Sequence, residues 1–190
     1  MGEVLTVFGT GEGQTAKVAE RIDATLRARG HATTTVNVRE TDADLNVDDF
    51  DAVLVGASIH LGRQQKAVRR FVEANRDALA PKPNGFFQVS GSSGEGTERG
   101  VAEAARYVDE FIEATNWYPD RIGLFGGALR FSEYGFLMRT LVKFVARADS
   151  SGTNPLTDVE YTDWEEVEAF ADEFATFVEE RLGETTEATE

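Results

Sequence analysis

The chain has no cysteine, and among its 190 residues only four are proline and only four are lysine (Lys17, Lys66, Lys82 and Lys143). Without Cys, disulfides, thiol nucleophiles and thiolate-held metal sites are excluded together. A reducing cytoplasm is the expected location. Long apolar runs are missing as well. No stretch approaches the roughly 20 residues that a bilayer-spanning helix needs. The opening apolar run is short and lacks a basic flank, so no signal peptide is expected. Positive charge is scarce, and the formal net charge is −15. Acid surplus with few lysines matches a salt-adapted, halophilic surface, because dense carboxylates keep a protein hydrated in brine. The plainer alternative is an acidic protein with an acidic tail. Either way the acidity argues against nucleic acid as a partner.

What is present is concentrated first in Phe8-Gly9-Thr10-Gly11-Glu12-Gly13-Gln14-Thr15. Val4, Leu5, Val7 and Phe8 before it read as a buried strand, and Val18, Ile22 and Leu26 after it recur at helical spacing. A Gly and hydroxyl loop at a strand-to-helix junction aims backbone N–H groups at one point, and the helix N-terminus adds positive partial charge. The hydroxyls of Thr10 and Thr15 and the amide of Gln14 are further candidate donors. A triphosphate loop needs Lys and then Ser or Thr after its last Gly, but Gln14-Thr15 stand there and Glu12 lies within the loop. The glycine spacing also misses the dinucleotide fingerprint. A phosphate monoester held by neutral donors fits best, and flavin mononucleotide (FMN) carries one. The alternative is an ordinary glycine-rich turn.

Along the chain, strand-like runs at Ala32–Val38, Ala52–Ala57, Gly85–Val89 and Ile122–Leu129 alternate with helical patterns at Gln64–Leu79, Val101–Thr115 and Trp164–Leu182. Asp163 is the expected N-cap of the last helix. Alternating, fully apolar strands predict a parallel sheet covered on both faces. The expected fold is α/β, a flavodoxin-like three-layer sandwich with five parallel strands in order 2-1-3-4-5. Residues 1–182 are expected to form a single domain with a helical insert at about 130–158, and 183–190 a disordered acidic tail. Ligands of such sheets sit beyond the strand carboxyl ends. Three loops should therefore meet there: Thr10–Thr15, then Ser58-Ile59-His60-Leu61-Gly62, then Ser90-Gly91-Ser92-Ser93-Gly94-Glu95-Gly96. The last is nearly all Gly and Ser, so backbone groups can approach a flat ring closely. Ser58, Ile59, His60, Leu61, Gly62, Ser90, Gly91, Ser92 and Gly94 join Thr10–Thr15 as candidate cofactor contacts. His60 is the one candidate proton carrier, and His31 is expected to meet the last carbonyls of the first helix. Gly56-Ala57-Ser58-Ile59-His60 lacks the final Gly of a hydrolase nucleophile elbow.

From Arg130 to Arg147, Tyr134, Leu137, Met138, Leu141, Val142 and Val145 fall on one helix face. Arg139, Lys143 and Arg147 form a basic stripe beside it, with Arg130 upstream. Such a helix reads as a membrane-surface or partner-binding element, as a binder of carboxylates, as an apolar face packed on its own domain with solvated cations, or as an interdomain or dimer contact.

These residues carry a resemblance. Thr10-Gly11-Glu12-Gly13-Gln14-Thr15, Val55-Gly56-Ala57-Ser58-Ile59 with Gly62, and Trp117-Tyr118-Pro119-Asp120-Arg121 belong to it. Gly127-Ala128-Leu129-Arg130-Phe131 and Tyr161-Thr162-Asp163-Trp164 complete the set. The chain resembles the flavodoxin-like, quinone-dependent protoporphyrinogen oxidases of bacteria along nearly all of its length. That resemblance implies FMN binding and oxidation of protoporphyrinogen IX to protoporphyrin IX, with menaquinone or another membrane quinone as electron acceptor. It also implies peripheral membrane association through 134–147. The insert departs from the family in being less basic and less aromatic at Ser132–Phe136. The rival readings are a flavodoxin electron carrier and an NAD(P)H:quinone reductase. Oligomeric state is not readable from the sequence.

Overall fold

The structure is a computed structural model that describes residues 1–10, 13–40, 45–60, 63–90, 98–126 and 162–187. Its first strand, β1 (Glu3–Gly9), is followed by helix α1 (Gln14–Ala28) and strand β2 (Ala32–Asn37). A short 3-10 turn (Val47–Asp49) leads into β3 (Ala52–His60), which turns back as β4 (Arg63–Gln64). Then come α2 (Lys66–Leu79), β5 (Asn84–Val89), α3 (Glu98–Thr115), β6 (Arg121–Phe125) and α4 (Trp164–Glu187). The five long strands are parallel, in spatial order β2-β1-β3-β5-β6. This is the expected 2-1-3-4-5 order.

Alternation along the strands builds the two outer layers, because successive side chains of a strand face opposite ways. Leu5, Val7, Val53, Val55 and Phe86 pack with Val68, Val72, Val108, Phe111 and Trp117 under α2 and α3. Val4, Phe8, Leu54, Phe87 and Val89 pack with Val18, Ile22, Leu26, Phe170 and Phe174 under α1 and α4. Strands covered on both faces are mostly apolar, so β1 and β3 read as near-continuous runs in the sequence, broken in β1 by the buried Thr6.

Four expectations change. β3 does not end at Ala57: it continues to His60 and pairs antiparallel with β4, Ile59 opposite Gln64 and His60 opposite Arg63. Ser58–His60 are thus strand rather than loop, and α2 starts at Lys66 rather than Gln64. The antiparallel ladder takes the backbone groups of Gln64, which a helix start would have left unpaired. The last sheet strand stops at Phe125, because Gly126 takes φ +112, and 127–129 lie outside the described residues. Asp163 does cap α4, its Oδ1 accepting from the N–H of Glu165 at 3.0 Å and Glu166 at 3.3 Å. But α4 runs through Gly183 to Glu187. Residues 183–187 are therefore helical, and only 188–190 of the expected disordered tail lie outside the described residues. Extending an existing helix needs no new nucleus, so a polar tail can follow it.

The fourth change concerns His31. Its backbone N–H donates to Leu26 O at 3.1 Å, whereas its buried ring turns away from the helix end. Nδ1 accepts from the Gly2 N–H at 3.3 Å, and Nε2 faces Glu179 Oε1 at 3.4 Å. The insert at about 130–158 lies outside the described residues.

Candidate functional site

β1, β3 and β5 are neighbours in the sheet, so their carboxyl ends form one edge. Gly9 pairs with Ala57, and Ser58 pairs with Val89. The order of strands reverses between β1 and β3, which is where open α/β sheets hold ligands.

Thr10 leaves β1 and folds over the start of α1, where its Oγ1 accepts from the Gly13 N–H at 2.8 Å. Gly13 is the N-cap of α1 with φ +88 and no side-chain cap bond. A Cβ there would meet nothing within 4 Å, so the left-handed backbone, not space, is what asks for glycine. The first turn of α1 carries no acid. Its N-terminal N–H groups have no partner within the helix and present positive potential to an anion. Just inside that turn Thr15 is 1% exposed. Its Oγ1 is buried and has no hydrogen-bond partner among the described residues. A buried hydroxyl without a partner costs about 1–3 kcal/mol, a cost that a ligand oxygen at the helix N-terminus removes.

Two further side chains converge on this loop. Arg39, just after β2, donates from Nη1 to Thr10 O at 2.7 Å. Gln14 donates from Nε2 to Thr162 Oγ1 at 2.7 Å, which ties the start of α1 to the residue before the α4 cap. Beside the loop, Ser58 Oγ accepts from Gln65 Nε2 at 2.7 Å and lies 3.5 Å from Gly9 O. On the other flank Ser90 is buried, and its N–H donates to Phe125 O at 3.2 Å.

The structure therefore brings together Thr10, Gly13, Gln14, Thr15, Ser58 and Ser90. Ile59 and the backbone of His60 lie on the extension of β3 beyond the sheet edge. Gly11, Glu12, Leu61, Gly62, Gly91, Ser92 and Gly94 lie outside the described residues, as do Arg130, Arg139, Lys143, Arg147 and the whole of 134–147. Sequence reasoning missed Arg39, Gln65 and Thr162 as neighbours of the loop. Thr162 sat within a quoted motif, but nothing tied it to Gln14. Arg39 and Gln65 carry no local signal at all.

The groups whose ionisation is displaced lie off the loop. Burial raises the Asp23 carboxyl above its usual range, against the pull of the Thr35 and Thr6 hydroxyls. Burial likewise raises Asp120, against the Asn84 backbone N–H. The hydrogen bond from the Tyr107 hydroxyl to Glu103 raises the Tyr107 phenol. The described loop residues offer neutral donors and backbone dipoles, with the Arg39 guanidinium beside Thr10, a set that suits a phosphate monoester.

Known proteins match this geometry. The flavodoxin domain family matches residues 5–155. The chain is 30% identical over 173 residues to the protoporphyrinogen IX dehydrogenase (quinone) of Escherichia coli strain K12, covering 91% of this chain and 94% of that protein. It is 28% identical over 171 residues to the protein of the same name from Leishmania major, covering 90% of this chain and 74% of that one. Among solved structures, two-electron reduced Megasphaera elsdenii flavodoxin superposes with a TM-score of 0.52 at 17% identity, over 91% of this chain and 98% of its own. Rubredoxin oxygen:oxidoreductase from Desulfovibrio gigas gives a TM-score of 0.55 at 15% identity over 95% of this chain, which spans only 37% of that one. These two likenesses establish the fold alone. The chain belongs to the flavodoxin-domain family, in the group that contains the quinone-linked protoporphyrinogen IX dehydrogenases.

Proposed function

We propose that the protein is an FMN-dependent oxidoreductase that converts protoporphyrinogen IX to protoporphyrin IX with a quinone as electron acceptor. The observation that carries this reading is the buried Thr15 hydroxyl, without a partner among the described residues, in a first helical turn that carries no acid, in a chain 30% identical to a named protoporphyrinogen IX dehydrogenase over 173 residues. The residues present fit the FMN phosphate. Thr15 Oγ1 and the first N–H groups of α1 would donate to it, Thr10 shapes the loop through Gly13, and Arg39 adds a positive charge beside Thr10. The chemistry the bound cofactor would supply is two-electron hydrogen transfer from substrate to quinone, repeated with a fresh quinone each time until all the hydrogens that separate protoporphyrinogen IX from protoporphyrin IX are removed. This chain's residues bind and orient. Ser58 offers a hydroxyl where β3 leaves the parallel sheet, and Ser90 starts the third loop from a backbone pinned to β6.

The finer parts of the reading are menaquinone as the acceptor, a cytoplasmic location, and peripheral contact with the membrane through 134–147. The basic amphipathic pattern of that segment supports the last two, because a lipid-dissolved acceptor is reached from the bilayer surface. The acidic surface supports work in high salt.

The test is an anaerobic assay of FMN-loaded protein in high-salt buffer with protoporphyrinogen IX and a menaquinone analogue, following porphyrin fluorescence against an enzyme-free control. Quinone-dependent growth of fluorescence is the expected result. No rate above control, with the flavin bound and reducible, would turn the reading to an electron carrier or another quinone reductase. For the membrane contact, Arg139→Glu with Lys143→Glu should abolish binding to anionic liposomes while leaving the fold intact. Equal binding of variant and parent would remove that role.

A further inference from the structure

Gln65 occupies the N-cap position of α2, yet its side chain makes no cap hydrogen bond. The helix start is held by backbone instead, the Arg69 N–H donating to Gln65 O at 3.3 Å. The amide lies across the end of β1. Its Oε1 is 2.6 Å from where a Cβ of Gly9 would sit, as is Val68 Cγ2, so a side chain at position 9 would push the amide from this place. Its Nε2 donates to Ser58 Oγ at 2.7 Å. Its Oε1 is buried and has no partner among the described residues.

Both ends of this amide point to a ligand. Leaving a buried carbonyl-type oxygen without a donor costs desolvation free energy, so its retention calls for a donor that the described residues do not supply. Thr10 follows Gly9 directly, so that donor arrives beside the phosphate loop. An ionised phosphate has only acceptor oxygens, so it cannot be the donor. The sugar-alcohol chain joined to the FMN phosphate is a row of hydroxyls and can be. At the other end, Gln65 Nε2 fills one lone pair of Ser58 Oγ. Among the described residues the Ser58 hydroxyl then donates to Gly9 O at 3.5 Å, long for an O–H donor. A ligand oxygen at a shorter distance would draw that hydrogen away from Gly9 O.

Resting on the FMN reading above, we propose that Gln65 is a cofactor-binding and positioning residue. Its Oε1 accepts from a ribityl hydroxyl, and its Nε2 turns the Ser58 hydroxyl hydrogen outward as a donor. Gln65 is thereby a reader of the sugar-alcohol chain rather than of the phosphate.

The experiment titrates the apoprotein with FMN and with riboflavin, following the quenching of flavin fluorescence, for parent and Gln65→Leu. Because the ribityl chain is common to both flavins, affinity for each should fall about tenfold, about 1.4 kcal/mol. The melting temperature of the apoprotein should change little, since the substitution removes a buried oxygen without a partner among the described residues together with one hydrogen bond to Ser58. Unchanged affinity for both flavins overturns the proposal. So does a loss confined to FMN, which would make Gln65 a prop of the phosphate loop alone. A parent that binds neither flavin overturns the cofactor reading as well. Should Gln65→Leu fail to fold by circular dichroism, Gln65→Met keeps the length of the side chain and carries the same comparison.

Discussion

Asn84 and Asp120 hold each other's main chain. Asp120 Oδ2 accepts from the Asn84 N–H at 3.1 Å, and Asn84 Oδ1 accepts from the Asp120 N–H at 3.3 Å. Asn84 also donates from Nδ2 to Leu79 O at 3.3 Å and Lys82 O at 2.9 Å. The amide thus closes the turn after α2 and pins the start of β6 to the start of β5. This clamp sits at the amino edge of the sheet, opposite the phosphate loop. The sheet is held in register at one edge and left open for ligand at the other.

Asn84→Ala should therefore destabilise the protein by about 2–3 kcal/mol, because Asn84 is 2% exposed and its loss strands several buried polar groups. Urea unfolding measures this. Flavin affinity of the folded variant should stay within about twofold of the parent, since the clamp and the loop share no residue. A large loss of flavin binding would show that the two edges are coupled.

Thr15→Val separates binding from folding. The hydroxyl has no partner among the described residues, so its removal should leave the thermal midpoint of the apoprotein unchanged or raise it. Flavin affinity should fall by about tenfold or more, as expected for one hydrogen bond to a charged group worth about 1.5–3 kcal/mol. Equal affinity would exclude Thr15 from the phosphate contacts.

Asp23 makes stability depend on pH. It is buried between the sheet and α1 and accepts from Thr6 Oγ1 at 2.7 Å and from the Thr35 hydroxyl. Burial raises its pKa; the Thr35 and Thr6 hydroxyls and Arg27 lower it, and Glu20 adds to the rise. The folded protein therefore holds this proton more tightly than the unfolded chain does. Its stabilising contribution is complete below the ordinary carboxylate range and is lost as pH rises through the raised value. Asp23→Asn removes that dependence. The variant should gain on the parent between acid and neutral pH, as read from urea unfolding at a series of pH values. A constant difference across the series would mean that Asp23 ionises in the fold as it does in the unfolded chain.

Gly126→Ala tests how β6 sets the third loop. Gly126 has φ +112, and a Cβ there would lie 2.3 Å from Ser90 O. Backbone strain alone should cost about 1–3 kcal/mol, and the clash presses on the residue that begins the third loop. Both the melting temperature and flavin affinity should fall. A drop in melting temperature with affinity intact would separate Ser90 from the ligand.

Much of this was legible in the residues. The apolar run Val4–Phe8, the Gly and Thr loop and the spacing of Val18, Ile22 and Leu26 are local signals. Period and turn chemistry act within a few residues, so they named β1, the loop and α1 without help from the rest of the chain. Asp163 as a cap was equally local. The alternation of apolar strands with amphipathic helices then fixed a doubly covered parallel sheet, because no other layer arrangement buries such strands on both faces.

Tertiary structure decided the remainder. That β3 runs on to His60, that Gln14 is spent on Thr162, and that Gln65 lies across Gly9 all depend on pairs far apart in sequence. So do Arg39 reaching Thr10 and His31 turning to Gly2 and Glu179. A side chain's periodicity tells which way it faces, not which polar atom from another element will meet it. The sequence by itself determined the layers and the place of the loop, since burial of apolar surface follows a short-range pattern. Which hydroxyl has no partner among the described residues depends on how the strand ends and α1 are brought side by side, because burial and pairing there come from residues distant in the chain.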